Sequence, residues 1–147
     1  MPERHLSWGE IEAVAERLAG LLAAAGPWRG IVAIARGGLI PATILSRHLD
    51  LRLVDTFCIR GYAGRERRDP QVLKVPDLAL ADGGAGWLAV DDLVDEGGTA
   101  ERVRRLLPAV HLAVLFAKPL GRPRADTYVE EVSQDTWLVF PWERMGG

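Results

Sequence analysis

With 147 residues, 48% of them hydrophobic and 26% charged, the chain is long enough to bury a core as one domain, residues 1–147, and its net charge of −2 speaks against a general nucleic-acid binder. No apolar run reaches membrane-spanning length, and Met1-Pro2-Glu3-Arg4-His5 leads straight into a helical pattern, so a cytoplasmic protein is expected, with peripheral attachment at the inner membrane face left open. The single cysteine, Cys58, excludes an intrachain disulfide, and His5, His48 and His111 have no zinc-ligand spacing.

Ser7-Trp8-Gly9-Glu10 has the form of a capping box, and Ile11, Val14, Leu18, Leu21 and Leu22 recur at helical spacing until Gly26-Pro27. The pattern predicts a packing helix over 7–24, without chemistry of its own. Ile31 to Ala35 is a short apolar strand, followed by Arg36-Gly37-Gly38 and a helix with Pro41 in its first turn and an apolar face of Leu39, Ile40, Ile44, Leu45 and Leu49. A loop at a helix N-terminus aims its N–H groups at the strand ends, which makes a candidate anion site; an ordinary glycine-rich turn is the competing reading. Leu51 to Ile59 is a further strand. The polar run from Arg60 to Asp69 gathers Arg60, Arg65, Arg67 and Arg68, and is expected to be a mobile loop, either solvated or in contact with a polyanion. Ala81-Asp82-Gly83-Gly84-Ala85-Gly86 reads as a surface connection.

Trp87 to Val90 is apolar without a break, as a strand covered on both faces should be, and ends in Asp91 and Asp92. Asp95 opens the next loop, Glu96-Gly97-Gly98-Thr99, whose backbone N–H groups can curl around an anion. Acids beside a phosphate cradle suit one ligand class, a phosphorylated ribose, because carboxylates accept from a sugar diol while the amides hold the phosphate. Ala100, Val103, Leu106 and Leu107 mark a helix that leaves Arg102, Arg104 and Arg105 on a solvated face, and Pro108 closes it. Val110 to Ala117 is another buried strand, with Lys118 at its end facing the crevice; a loop from Gly121 through Val129 then leads to Asp135-Thr136-Trp137-Leu138-Val139-Phe140-Pro141-Trp142. Strands alternating with helices predict an α/β fold, a mainly parallel sheet flanked by helices, with ligands at the carboxyl ends of the strands. A dinucleotide or NTPase site is excluded, since no strand is followed by Gly-x-Gly-x-x-Gly and no Gly-x-x-x-x-Gly-Lys occurs.

Val90-Asp91-Asp92-Leu93-Val94-Asp95-Glu96-Gly97-Gly98-Thr99 resembles the phosphoribosyl-pyrophosphate signature of type I phosphoribosyltransferases. Ala35-Arg36-Gly37-Gly38 is similar to the pyrophosphate loop, and Phe116-Ala117-Lys118-Pro119 and Gln134-Asp135-Thr136-Trp137 to the nucleobase segments, of the bacterial xanthine-guanine enzymes of that family. The resemblance runs from the first strand to Trp142. It implies a small hood from the C-terminal segment and a purine-salvage reaction, in which a 6-oxopurine (xanthine, guanine or hypoxanthine) and phosphoribosyl pyrophosphate give the nucleoside 5′-monophosphate and pyrophosphate. It further implies Mg2+ as cofactor, held with help from Asp92, no nucleic-acid partner, and a homo-oligomer, dimer or tetramer.

By the same resemblance, phosphoribosyl pyrophosphate falls to Arg36, Gly37, Gly38, Arg68, Asp91, Asp92, Asp95, Glu96, Gly97, Gly98 and Thr99, and the nucleobase to Asp95, Lys118, Trp137 and Leu138. Asp95 and Arg68 carry catalysis, Arg68 from a flap that closes on pyrophosphate, where Arg67 is a near competitor. Three departures stand out: Ala35 replaces a serine, Glu96 replaces a threonine in the phosphate loop, and the sequence ends sooner than in those enzymes, which bears on closure of the base pocket and on subunit contacts. The alternative is a non-catalytic regulator that senses phosphoribosyl pyrophosphate or nucleotide. It needs a second binding surface, and no helix-turn-helix extension fits in this length.

Overall fold

The computed structural model describes residues 1–61 and 69–144. The chain opens with a short strand, Glu3–His5 (β1), where the sequence suggested only a lead into a helix. Ser7 then makes the expected capping box: its hydroxyl accepts from the Glu10 N–H at 3.1 Å and the Glu10 carboxylate accepts from the Ser7 N–H at 2.8 Å, which satisfies two backbone donors at the helix start. The helix runs Trp8–Ala25 (α1) and buries Ile11, Val14, Leu18 and Leu22, each contributing about 1.5–3 kcal/mol of transfer free energy when fully covered. Leu21, counted in the apolar stripe from sequence, is 51% exposed; Ala19 takes the buried place beside Leu18 and Leu22.

Gly30–Ala35 (β2) and Leu39–His48 (α2) follow, with Pro41 in the first turn of α2, and then Val54–Arg60 (β3). Leu51, Arg52 and Leu53, expected at the head of that strand, precede it. Gln71–Lys74 (β4) returns antiparallel along β3. The stretch after it contains a short helix, Asp77–Ala81 (α3), before a turn in which Gly83, Gly84 and Gly86 have φ of 62°, 84° and 79°. At Gly84 a left-handed backbone and close packing coincide, since a Cβ there would meet the Val110 Cβ at 2.8 Å.

Trp87–Val94 (β5), Gly98–Leu106 (α4) and His111–Ala117 (β6) keep the expected strand, loop, helix, strand order. Past Lys118 the sequence suggested a loop, yet Thr127–Glu131 (β7) joins the edge of β6 in parallel. Its Thr-Tyr-Val-Glu-Glu sequence has no apolar run because it is an edge strand, with Tyr128 and Val129 packing on opposite core faces while half-buried. Trp137–Val139 (β8) is the last strand.

The main sheet has the order β4-β3-β2-β5-β6-β7 and is parallel except for β4. Its central strands alternate between two cores, a pattern broken only where Leu115 and Phe116 of β6 both join the first. Ile31, Ala33, Leu88, Val90, Ala113 and Leu115 join one core with Leu18 and Leu22 of α1 and Leu45 of α2, while Val32, Ile34, Trp87, Ala89, Leu112 and Val114 join the other with Val103 of α4. Helices on both faces are the α/β architecture expected. β8 pairs in parallel with β1, Trp137 opposite Glu3, and this separate pair forms the small hood.

The basic face of α4 differs from the expectation at Arg104, while Arg105, its side chain 63% exposed, is solvated as expected. Arg104 donates to the Arg124 carbonyl and to Asp126 Oδ2, both at 2.6 Å, so it ties α4 to the chain entering β7 instead of lying in solvent. Arg102 pairs with Asp69 at 3.6 Å, and Arg105 with Glu101 at 2.8 Å. No helix among the described residues is long and apolar enough to cross a membrane.

Candidate active site

β5 pairs with β2 only as far as Val90 opposite Ala33, whereas on its other side it stays paired with β6 to Val94 opposite Ala117. The chain of β2 leaves the sheet through Arg36-Gly37-Gly38, so the flank of β5 at Asp91 and Asp92 opens on a crevice. The Asp91 carboxyl sits well above the usual carboxylate range, first because burial disfavours its charge and then because Asp92 lies beside it. Asp92 is raised to about 6, again by burial first; a hydrogen bond with Asp91 works against the shift, and the charge of Glu143 adds to it. Glu143 was not singled out from sequence, because only the folding back of the C-terminal segment brings it to this wall. Its carboxylate also accepts from the Phe140 N–H at 3.1 Å.

The Arg36 loop presses directly on β5. A Cβ at Gly38 would collide with the Val90 carbonyl oxygen, and a Cβ at Gly37 would lie 2.6 Å from Asp92 Cγ. Close approach, not a left-handed backbone, is what requires glycine at both positions. Gly38 is buried under the loop and its N–H donates to the Ile34 carbonyl at 2.8 Å. Arg36 is exposed and lines, with Gly37, Asp91, Asp92 and Glu143, a lobe of about 1160 Å³. Leu138, buried in the hood, lines the same lobe.

Beyond β5 the chain turns through Asp95-Glu96-Gly97 into α4. Gly97, with φ of 94°, caps that helix, which leaves the first-turn N–H groups available to an anion. A second lobe of about 580 Å³ is lined there by Asp95, Glu96, Gly97, Gly98, Thr99 and Lys118, a size suited to a small-molecule ligand. Lys118 is only 3% exposed, and its Nζ donates to Asp95 Oδ2 at 3.1 Å; a buried ammonium needs such a partner. Gln134 Nε2 donates to the other carboxylate oxygen, Oδ1, at 2.8 Å. Trp137, 41% exposed, stands on the walls of both lobes.

Asp91, Asp95, Thr99, Lys118 and Trp137 border both lobes, which makes them two ends of one crevice. The structure therefore brings the Arg36 loop, the acid pair, the Gly97 loop and the Lys118 strand end to one place. Arg68 and its competitor Arg67 lie outside the described residues, as does most of the Arg60 to Asp69 loop expected to be a flap. Gln134 and Glu143 are the additions; Gln134 lay in a segment noted for Trp137, but nothing in the sequence connected it to Asp95.

Residues 6–144 match the phosphoribosyl transferase domain family. The chain belongs to the phosphoribosyltransferases. It is 50% identical over 143 residues to the xanthine-guanine phosphoribosyltransferase of Cereibacter sphaeroides (strain ATCC 17025 / ATH 2.4.3), covering 95% of this chain and 86% of that one. It is 48% identical over 139 residues to the enzyme of the same description from Nitratidesulfovibrio vulgaris (strain DP4), covering 94% and 83%. Among solved structures, the purine phosphoribosyltransferase from Pyrococcus horikoshii Ot3 superposes with a TM-score of 0.80 at 29% identity, over 100% of this chain and 98% of that one. The Helicobacter pylori xanthine-guanine-hypoxanthine phosphoribosyltransferase does so with 0.79 at 25% identity, over 97% and 94%. The crevice at the strand ends is the candidate active site of this phosphoribosyltransferase.

Proposed function

We propose that this phosphoribosyltransferase serves purine salvage, converting a 6-oxopurine, whether xanthine, guanine or hypoxanthine, and phosphoribosyl pyrophosphate to the nucleoside 5′-monophosphate and pyrophosphate. One observation carries the assignment of the site: the acid pair lies between the Arg36 loop and the Gly97 loop, while the Asp95–Lys118 pair faces the same crevice. The relatives at about half identity supply the substrate class. The regulator reading finds no support among them.

Purine nitrogen N9 attacks ribose C1′, the C1′–O bond to pyrophosphate breaks, and the transition state has oxocarbenium character, so the protein must hold the diol, neutralise the leaving group and orient the base. Asp91 and Asp92 hold the ribose hydroxyls. Glu96 to Thr99 cradle the 5′-phosphate, and Arg36 with Gly37 and Gly38 meets the pyrophosphate, joined by Arg68. Asp95 takes the proton from N7 as N9 bonds to carbon. Lys118 donates to the 6-oxo oxygen, Trp137 stacks on the ring, and the Leu138 backbone carbonyl meets the 2-position, where it accepts from the amino group of guanine.

The donor set fits Mg2+. Asp91 and Asp92 crowd two carboxyl groups into a poorly solvated place where each resists ionisation, and a divalent cation relieves that penalty. Mg2+ characteristically takes one or two carboxylates together with substrate oxygens, a demand that two adjacent acids on the crevice wall suit. Asp92 would hold it, and the bound ion would supply positive charge toward the leaving pyrophosphate. The homo-oligomer, dimer or tetramer, and the cytoplasmic location belong to the same reading. Chromatographic detection of nucleotide formed from phosphoribosyl pyrophosphate with guanine, xanthine or hypoxanthine, together with equimolar pyrophosphate, tests it. No nucleotide from any of the three, in the presence of Mg2+, would overturn it.

A further inference from the structure

We propose that Gln134 is a positioning residue for the proton transfer, fixing the plane of the Asp95 carboxylate and the start of the loop that carries it. The inference rests on the reading of Asp95 as the base. Its observation is separate: Gln134 Nε2 donates to Asp95 Oδ1 at 2.8 Å and approaches the Asp95 carbonyl at 3.3 Å, while Gln134 Oε1 accepts from the Leu120 N–H at 2.9 Å. A backbone N–H can only donate, so the Leu120 contact fixes which end of the amide is oxygen and leaves the NH2 group facing Asp95.

An aspartate side chain turns about the bond to its carboxyl group unless both oxygens are held. Lys118 Nζ holds Oδ2 at 3.1 Å, and Gln134 holds Oδ1. The lone pairs left over then have a defined direction into the lobe lined by Lys118 and Trp137. Lys118 is nearly buried and its backbone N–H is bonded to the Val94 carbonyl at 2.9 Å, so this anchor belongs to the sheet itself. Gln134 comes from the far side, from the turn that leads into β8, and so couples the base-stacking strand to the proton acceptor. During the reaction Gln134 touches neither proton nor purine; the N7 proton passes to Asp95, and Gln134 keeps the accepting oxygen where N7–H points.

A double-mutant cycle reads this directly. Gln134→Met keeps the length of the side chain and removes its donor. The single-turnover rate of nucleotide formation from guanine is measured for the wild type, Gln134→Met, Asp95→Asn and the double variant, with the KM for phosphoribosyl pyrophosphate recorded alongside. A misdirected acceptor predicts a loss of about ten- to a hundredfold for Gln134→Met, with that KM within about twofold of wild type and little further loss in the Asp95→Asn background, since the two changes strike one function. An equal fold-loss in both backgrounds, or no loss in the wild type, would overturn the positioning role while leaving the base assignment intact. If Asp95→Asn alone leaves the rate unchanged, the base assignment falls, and the positioning role falls with it. Should Gln134→Met fail to fold, Gln134→Glu replaces it at pH 8: it keeps an acceptor for Leu120 and sets a second carboxylate against Asp95, and the same non-additive loss is expected.

Discussion

The carboxylate of Asp92 occupies the space that any side chain at Gly37 would need, with Asp92 Cγ 2.6 Å and Oδ1 2.7 Å from the Cβ position. Gly38, one residue on, is blocked instead by the Val90 carbonyl. The two neighbours therefore differ in what gives way. Gly37→Ala displaces the end of a side chain and leaves β5 in place, so stability should hold to within about 1 kcal/mol while turnover falls at least about tenfold with a raised KM for phosphoribosyl pyrophosphate. Gly38→Ala pushes on backbone and should cost about 1–3 kcal/mol or more in a urea titration. Equal effects of the two substitutions on stability would contradict this geometry.

The acid pair makes the ligand-free fold sensitive to pH. A carboxyl group whose folded value is raised favours the folded chain while protonated; for Asp92 that contribution is present below the usual carboxylate range and is lost as pH rises through about 6. Asp92→Asn keeps the shape and removes the titration. The variant should be more stable than wild type at pH 7.5, and its advantage should shrink as pH falls to 5 and below. Urea midpoints at several pH values measure it, and an advantage that grows on acidification would have the wrong sign. A functional site that costs the fold stability is what such a gain would mean.

Arg104 joins α4 to the entrance of β7 through two 2.6 Å contacts, and Asp126 Oδ2 accepts as well from the Leu112 N–H at 2.8 Å. Arg104→Ala should lower stability by about 1–2 kcal/mol, a figure that allows for partial solvation of the ion pair. Turnover per folded molecule should be unchanged, because Arg104 lines neither lobe. Thermal unfolding and an activity assay on the same preparation separate the two effects.

The features legible in the sequence were those written in consecutive residues. Ser7 and Glu10 announce their own cap, Trp87 to Val90 is apolar on both faces, and the Gly97 turn follows it directly, so the strand, loop and helix of the crevice are legible as consecutive residues. β1, β4 and β7 leave no local signature, because short or edge strands carry no continuous apolar run; β7 borrows its order from β6, to which Tyr128 is registered at Val114. α3 was hidden by its length. At the site, the sequence placed Lys118 and Asp95 near one ligand, but their pairing, the second hydrogen bond from Gln134 and the approach of Glu143 to Asp92 are contacts between distant segments that no local pattern records.

The base end of the crevice decides which purine reacts, and Lys118 stands there. An ammonium has donors and no acceptor, so it satisfies a 6-oxo oxygen and cannot accept from the 6-amino group of adenine. Facing an amino donor, a lysine that is 3% exposed loses its ligand partner, worth at least about 1–3 kcal/mol, or roughly ten- to a hundredfold, against adenine. The decisive measurement is kcat/KM for guanine, xanthine, hypoxanthine and adenine in the wild type and in Lys118→Met, which keeps the stem and removes the charge. The expected result is a wild type that strongly prefers the 6-oxopurines and a variant that loses most of its activity on them while the gap to adenine narrows. Equal losses for all four bases, or no loss at all, would show that Lys118 does not read the purine.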